Sequence, residues 1–436
     1  MESNTLLCGA AREDITPPVG TLLYGYNPHQ VSTSVHDPLY VSAAAFRYGN
    51  DCVLMMTFTV GDIQNALTQE IREAISASTG IAIADIVLSA THTHSAPNVA
   101  GFEGWGDIDR PYVDTILMPA ALKAAKAAVA SLEPAELAVG EVKSEIGINR
   151  RQLTRTGDVI LGQNPWGAYD PFLTCIAVRS AETKKGIINM LHYGCHGTAA
   201  GCNREISRDW SGIMTDRLEA ITGTLTAFWN GAIGDVGPRL TNGQTVGDIH
   251  YVEELGGVAA ADAIRAYQAC GSYTSAAMSV RHGEIRIPYK TLPPREEVER
   301  RLASYTDPEK LYNIEGLIYG HLKEIKEVYD AGVPAHDNAF CYAQTLISLG
   351  DILFIPHPFE VFSEICLRLR AYAPARYVLN LSNSNGYNAY MPTEDQIVRG
   401  GYEVGVFLNA GAYTLVNHAD QIIINKNLRI IENNET

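Results

Sequence analysis

Ile86-Val87-Leu88-Ser89-Ala90-Thr91-His92-Thr93-His94-Ser95-Ala96-Pro97 is the stretch on which the reading of this chain turns. The apolar run 86–88 is too short for a buried helix and reads as a buried strand. A strand that exits into a polar turn is the building unit of α/β folds. Ligands of such folds bind beyond the carboxyl ends of the strands. Residues i and i+2 of a strand share a face, so His92 and His94 are expected to point at one spot. Neutral imidazole is the commonest metal ligand. The plain alternative is two polar histidines satisfied at a strand end.

Outward from this stretch, the same pattern recurs. Strands are predicted over 52–57, 86–89, 136–142, 173–179, 186–192, 225–229, 352–355, 377–381 and 421–425, and helices over 66–77, 120–132, 252–269 and 311–331. The alternation is irregular. It predicts an α/β fold of layered, mixed β-sheets flanked by helices. No internal repeat is visible. The chain is read as one domain over 1–436, with 288–337 as a helical insertion or lobe within it. The segment 154–170, with three glycines, Asn164 and Trp166, reads as a loop, and loops of that length inside a compact fold are often functional.

Composition narrows the function. The 436 residues are 46% hydrophobic, enough for a sizeable core. The formal charge of -16, from 49 acidic against 33 basic residues, repels phosphate backbones and anionic lipid surfaces. Nucleic-acid binding and stable membrane association are not expected, and a small-molecule substrate is. No run of about 18 apolar residues spans a membrane, and the first residues lack the basic and apolar parts of a secretion signal. The eight cysteines are scattered without a CxxC pair. They read as reduced thiols, and the expected location is cytoplasmic. Homo-oligomerisation stays open.

A second histidine pair follows another apolar strand, in Leu191-His192-Tyr193-Gly194-Cys195-His196-Gly197-Thr198. His192 is read as a hydrogen-bonded core residue inside the strand, and His196 as a turn residue free for chemistry. In Pro356-His357-Pro358-Phe359-Glu360, the carboxylate of Glu360 is expected to open a helix running through Leu369. Its plain role there is to answer the helix dipole.

These motifs, with Ala11-Arg12-Glu13-Asp14-Ile15-Thr16-Pro17, Tyr24-Gly25-Tyr26, Ile148-Asn149-Arg150 and Tyr169-Asp170-Pro171, stand in an order that resembles the catalytic domain of the neutral ceramidase family. Those proteins are zinc amidohydrolases that cleave N-acyl-sphingosine. Tyr390 and Tyr402 sit at the family's spacing. The resemblance implies that His92, His196, Glu360 and Tyr390 hold Zn²⁺. It implies that His94 and Tyr402 polarise the scissile carbonyl or handle protons, and that Arg150 orients the substrate. A donor set of two nitrogens and two oxygens suits zinc, though several divalent ions accept it.

The chain departs from the family in Asn230-Gly231-Ala232-Ile233-Gly234-Asp235-Val236-Gly237-Pro238-Arg239. Gly237 stands where the family has a serine, and Arg239 replaces a following polar residue. Asp235, Gly237 and Arg239 are taken as substrate-binding positions, the last two departing from the family. The extra β-sandwich domain that follows the catalytic domain in ceramidases is not expected in this chain. The resulting expectation is a zinc-dependent hydrolase acting on an amide or ester of a small soluble substrate, not on ceramide. The alternatives are a metal-dependent isomerase, lyase or lactonase for a sugar-like or hydroxy-acid substrate, and a non-catalytic binding homologue.

Overall fold

Three copies of one supersecondary unit make up most of the molecule in the computed structural model, which describes residues 5–332 and 339–432. Each copy runs strand, strand, strand, helix, strand, and ends on a helix that returns over the sheet. In the first, these are β1 (Leu7–Asp14), β2 (Tyr40–Tyr48), β3 (Asp51–Phe58), α1 (Asn65–Thr79), β4 (Ile86–Ala90) and α2 (Met118–Ala130). The second holds β5 (Glu133–Lys143), β6 (Phe172–Ser180), β7 (Gly186–Tyr193), α3 (Trp210–Thr222), β8 (Thr226–Asn230) and α4 (Ile249–Gln268). The third begins with β9 (Met278–Pro288), detours through α5 (Arg295–Leu302) and α6 (Asn313–Ala331), and returns as β10 (Ala339–Leu349). It continues as β11 (Ile352–Pro356), α7 (Ser363–Tyr372), β12 (Tyr377–Leu381), α8 (Tyr402–Asn409) and α9 (Ala419–Ile431).

Within every unit the first three strands pair antiparallel and the last two pair parallel across a helix. The helical crossover is what parallel neighbours require. Units one and two join edge to edge through β1 and β5, giving an eight-stranded sheet in the order β8-β7-β6-β5-β1-β2-β3-β4. Unit three forms a four-stranded sheet, β9-β10-β11-β12. The two sheets meet face to face. Phe46, Met55, Val87, Ile176, Met190 and Trp229 of the large sheet bury against Ile347, Phe354 and Leu379 of the small one. Helices close the outer faces: α1 and α2 over unit one, α3 and α4 over unit two, α7 and α9 over unit three. The expected layered, mixed α/β architecture is what the chain adopts.

The internal repetition, absent from the sequence reading, is a correction. The copies share geometry while their side chains differ. Two local expectations also fail. Residues 421–425 lie in α9 and not in a strand. Three consecutive isoleucines suggested β, but burial of Asp420, Ile423, Ile424, Asn427, Ile430 and Ile431 follows a 3.6 period, and that stripe decides. Glu360 does not open the helix. It pairs in the two-residue strand Glu360–Val361, and α7 starts at Ser363. The 154–170 segment is partly structured, since Val159–Leu161 pairs back on Arg151–Leu153. The segment 288–337 corresponds to the detour between β9 and β10, where α5 and α6 enclose Val298, Leu322 and Ile325; its residues 333–337 lie outside the described residues.

Candidate metal centre

The parallel strand pairs of all three units end on one side, and the loops beyond them build a single cluster. β3 leads to Asp62, β4 to His92 and His94, β7 to His196, β11 to Glu360, and β12 to Tyr387 and Tyr390. The loops are stitched together by backbone pairing of Thr93 with Gly197 and of Glu360 with Tyr390. His92 and His94 converge, but not by strand alternation. The strand ends at Ala90, and His92 has a left-handed backbone, φ 64°. Strand alternation would also put both rings on one side, but here the chain has left the strand, and the turn at His92 sets the two rings. Such a conformation costs free energy in a non-glycine residue and is found where function requires it. At Gly25, φ 110°, an added Cβ would come 2.4 Å from the His94 ring, so only glycine leaves that ring its place.

His92, His196 and Glu360 each offer one ligand atom, and the three atoms lie within 4.8 Å of one another, all buried. The His92 Nδ1–H donates to Asp62 Oδ1 at 3.1 Å, and Asp62 Oδ2 accepts from Tyr24 Oη at 3.0 Å. The His196 Nδ1–H donates to the carbonyl of Val236 at 3.0 Å. Both imidazoles are thereby fixed in the tautomer that turns an Nε2 lone pair inward, the usual support of a metal-binding histidine. His196 Nε2 and Glu360 Oε2 lie 2.9 Å apart without the alignment of a hydrogen bond, and neither has another partner. Glu360 Oε1 accepts from Tyr387 Oη at 3.0 Å, leaving Oε2 as the free donor. Buried polar atoms without partners are costly. Two fixed nitrogens and one carboxylate oxygen aimed at a common point fit a divalent cation.

The buried groups of the cluster also shift one another's charge. Burial opposes charge on Glu360, but His92, His196 and Arg150 outweigh it and hold the carboxyl well below its usual range. Burial likewise opposes a charged His92, yet Asp62 and Glu360 lift it to about 9. Burial and Arg150 push His196 down to about 3. His94 is pushed well below its ordinary value by burial and by the neighbouring His92 and His196.

Tyr390 shares the cluster. Its ring stacks on His196 at 6.5 Å, and its hydroxyl accepts from Arg150 Nη2 at 2.9 Å. Arg150 also donates from Nε to Glu403 Oε1 at 2.8 Å, while Arg151 donates to Glu403 Oε2 at 2.7 Å. His94 Nε2 is 3.2 Å from His92 Nε2, and its buried Nδ1 has no partner. With the His92 Nε2 lone pair as acceptor, His94 carries its ring proton on Nε2 and leaves Nδ1 bare. Tyr402 opens α8 and meets Tyr390 edge-on at 6.1 Å. Its phenol is raised above the ordinary value, chiefly by burial.

The cavity at the cluster, about 20 Å³, is lined by His92, His94, Glu360, Tyr390 and Tyr402, closed in by Phe102, Trp105 and Tyr387. Asp235, Gly237 and Arg239 lie outside that lining. The Asp235 carboxylate accepts from the Ser363 N–H and Oγ, both at 2.7 Å, and from Asn149 Nδ2 at 3.2 Å. It tethers the start of α7, and burial raises it to about 6. Gly237 pairs with Ile148, and an added Cβ would meet Thr245 at 2.7 Å. Arg239 donates to Tyr169 Oη at 3.2 Å. His192 is inside β7 and bonds the carbonyl of Asn380 at 2.8 Å.

Sequence reasoning gave no role to Asp62, Tyr24, Tyr387 or Glu403, although Tyr24 stands in one of the quoted motifs. Asp62 carried a usable signal, since it follows the carboxyl end of a predicted strand as the histidines do. Tyr387 and Glu403 stand in the Gly- and Tyr-rich stretches 385–393 and 400–403, which read as a binding surface, but their particular roles were not legible because their partners lie 27 and more than 250 residues away.

No protein-family model matches the chain, and no curated protein matches it in sequence. Among solved structures it is similar to neutral ceramidase from Pseudomonas aeruginosa, with a TM-score of 0.76 and 16% identity, covering 99% of this chain and 75% of that one. It is also similar to a ceramidase complexed with C2, with a TM-score of 0.72 and 17% identity, covering 99% of this chain and 76% of that one. The chain has the neutral-ceramidase fold, over 99% of its length.

Proposed function

We propose that the protein is a zinc-dependent hydrolase that cleaves the amide or ester bond of a substrate smaller than ceramide. The observation that carries this reading is the convergence of His92 Nε2, His196 Nε2 and Glu360 Oε2, two of them without partners, in a fold shared with neutral ceramidases. Tyr390 is the proposed fourth ligand, its hydroxyl oriented by Arg150. When bound, the cation supplies Lewis acidity and makes a water more acidic.

The remaining steps fall to the chain's own groups. His94 has a buried Nδ1 without a partner and is held neutral, which leaves it a weak base, so its proposed part is to hydrogen-bond the scissile carbonyl or relay a proton to the leaving group. Tyr402 keeps its proton at neutral pH and is placed to donate to the developing oxyanion. Arg150 is held charged by Tyr390 and Glu403 against burial, and it orients the substrate through its fixed position. Aromatic walls of Phe102, Trp105 and Tyr387 limit water. The acidic surface and the thiols keep the soluble, small-molecule reading of the substrate and a reducing compartment; among the described residues all eight cysteines are free, and no helix is long and apolar enough to cross a membrane.

The test is elemental analysis of the purified protein together with amine release from N-acetyl amides. One equivalent of zinc and turnover that chelation abolishes and zinc restores are expected. His196→Ala should lose both. Protein that binds no divalent ion at micromolar concentration, or that cleaves no amide or ester, overturns the proposal.

A further inference from the structure

A second, larger cavity adjoins the metal cluster. It measures about 390 Å³ and shares Phe102 and Tyr387 with the small cavity at the histidines. Those two rings meet edge-on at 5.1 Å and form the partition. The Tyr387 side chain faces both ways, with its hydroxyl on Glu360 and its ring on the larger cavity. Phe359, next in sequence to Glu360, lines it as well. A molecule held in the larger cavity therefore has its nearest reactive neighbour in the metal site.

The lining has a definite chemical character. Seven aromatic rings contribute to it, with Tyr289 and Tyr413 5.1 Å apart on one wall. Its charged side chains are Glu103 and Glu324, and no Lys, Arg or His is among the described lining residues. Neither carboxylate is in an ion pair among the described residues. Glu103 packs on α6 at Gly320, and the half-buried Glu324 comes from the same helix. Glu324, from the detour between β9 and β10, and Glu103 thus bring acid to a lining otherwise made of rings, small and aliphatic residues and three side-chain amides.

We infer that this cavity recognises an organic ammonium group, so that the substrate of the neighbouring site is an acylated compound carrying a cationic nitrogen. An anionic group would meet two carboxylates and no counter-charge. A plain alkyl chain would cover Glu103 and Glu324 without compensating them. A cation is attracted by both components, by the ring faces and by the carboxylates. The net charge of -16 raises the local concentration of such a ligand. The raised pKa of Glu324, caused by burial and then by Glu103, marks the repulsion that a bound cation relieves.

The inference rests on the hydrolase reading for its substrate and on the cavity alone for its binding, so the two are tested apart. Binding of choline and of 3,3-dimethylbutan-1-ol, its uncharged isostere, is measured by calorimetry on the zinc-loaded protein. A quaternary ammonium cannot ligate the metal. Choline should bind about tenfold more tightly or better, and Glu103→Gln/Glu324→Gln should reduce it to the level of the alcohol with zinc content unchanged. Equal binding of the two in the unaltered protein, or indifference of choline to the substitutions, overturns the inference.

In parallel, N-acetyl-1,5-diaminopentane and N-pentylacetamide are compared as substrates. The cationic amide should have the higher kcat/KM, and the double substitution should remove that advantage while sparing the neutral amide. Selective choline binding with no cleavage of either amide leaves the ammonium site standing and overturns the hydrolase. Equal cleavage of both amides by the unaltered protein does the reverse.

Discussion

Asp62 Oδ1 accepts the Nδ1–H of His92 at 3.1 Å, with the Gly61 carbonyl at 3.3 Å as a second acceptor, and together they hold Nε2 toward the other ligands. Asp62 is fully buried and reaches His92 from the loop after β3, while Tyr24 holds its second oxygen. Asp62→Asn keeps the volume but can present an amide N–H to Nδ1, favouring the wrong tautomer. Zinc affinity should fall by about 10- to 100-fold with the fold intact, as read by competition with a chromophoric chelator. Unchanged affinity would remove Asp62 from the support of the site.

Tyr387→Phe deletes the hydroxyl that donates to Glu360 Oε1 at 3.0 Å. The carboxylate then keeps a buried, unpaired oxygen, at a cost of about 1–3 kcal/mol. Zinc affinity and apo-protein stability should both fall, and added zinc should recover part of the stability in thermal melts.

His94→Gln tests chemistry against metal binding. The Nδ1 of His94 meets no carboxylate or carbonyl, whereas the Nδ1 of His92 and of His196 each do. The variant should retain one zinc and lose about 10²-fold or more in turnover. Loss of the metal instead would make His94 a ligand.

Glu403 is 1% exposed and compensates both Arg150 and Arg151. Glu403→Gln leaves two buried guanidinium groups short of one negative charge. Breaking a buried ion pair costs about 3–5 kcal/mol, so chemical denaturation should show a loss of this order, and Tyr390 should lose its oriented partner. A change under about 1 kcal/mol would show that solvent reaches the cluster.

The pH dependence of stability can be checked at a site away from the metal. His36 bonds Asp37 at 2.8 Å and Glu253 at 3.0 Å. The Asp37 hydrogen bond, opposed by burial and reinforced by both carboxylates, raises its pKa above 6.5. A raised basic group stabilises the fold fully below its unfolded pKa and loses that effect as pH rises through the folded value. The melting-temperature gap between the unaltered protein and His36→Gln should be widest near pH 5 and close as pH rises through the raised folded value of His36. A gap that widens with pH would reverse the sign.

The amino-acid sequence by itself determined the local elements and the chemistry at their ends. Runs such as 86–88 and 352–355 must be buried strands, and polar turns carrying His92, His94, His196 and Glu360 follow from where those runs stop. Apolar periodicity and turn residues act over a few neighbours, so a linear reading captures them. It erred in α9, where short-range β-propensity competed with a longer helical stripe, and at Glu360, where pairing with Tyr390 30 residues on kept the chain extended.

Only the tertiary structure decided the threefold repetition, the face-to-face sheets and the support of the site. Asp62 against His92, Tyr387 against Glu360, and Glu403 against Arg150 and Arg151 are contacts between separate loops. Which loops meet depends on strand order and on parallel pairs ending on one side. That is set by the packing of whole sheets, and no single stretch of the chain carries it.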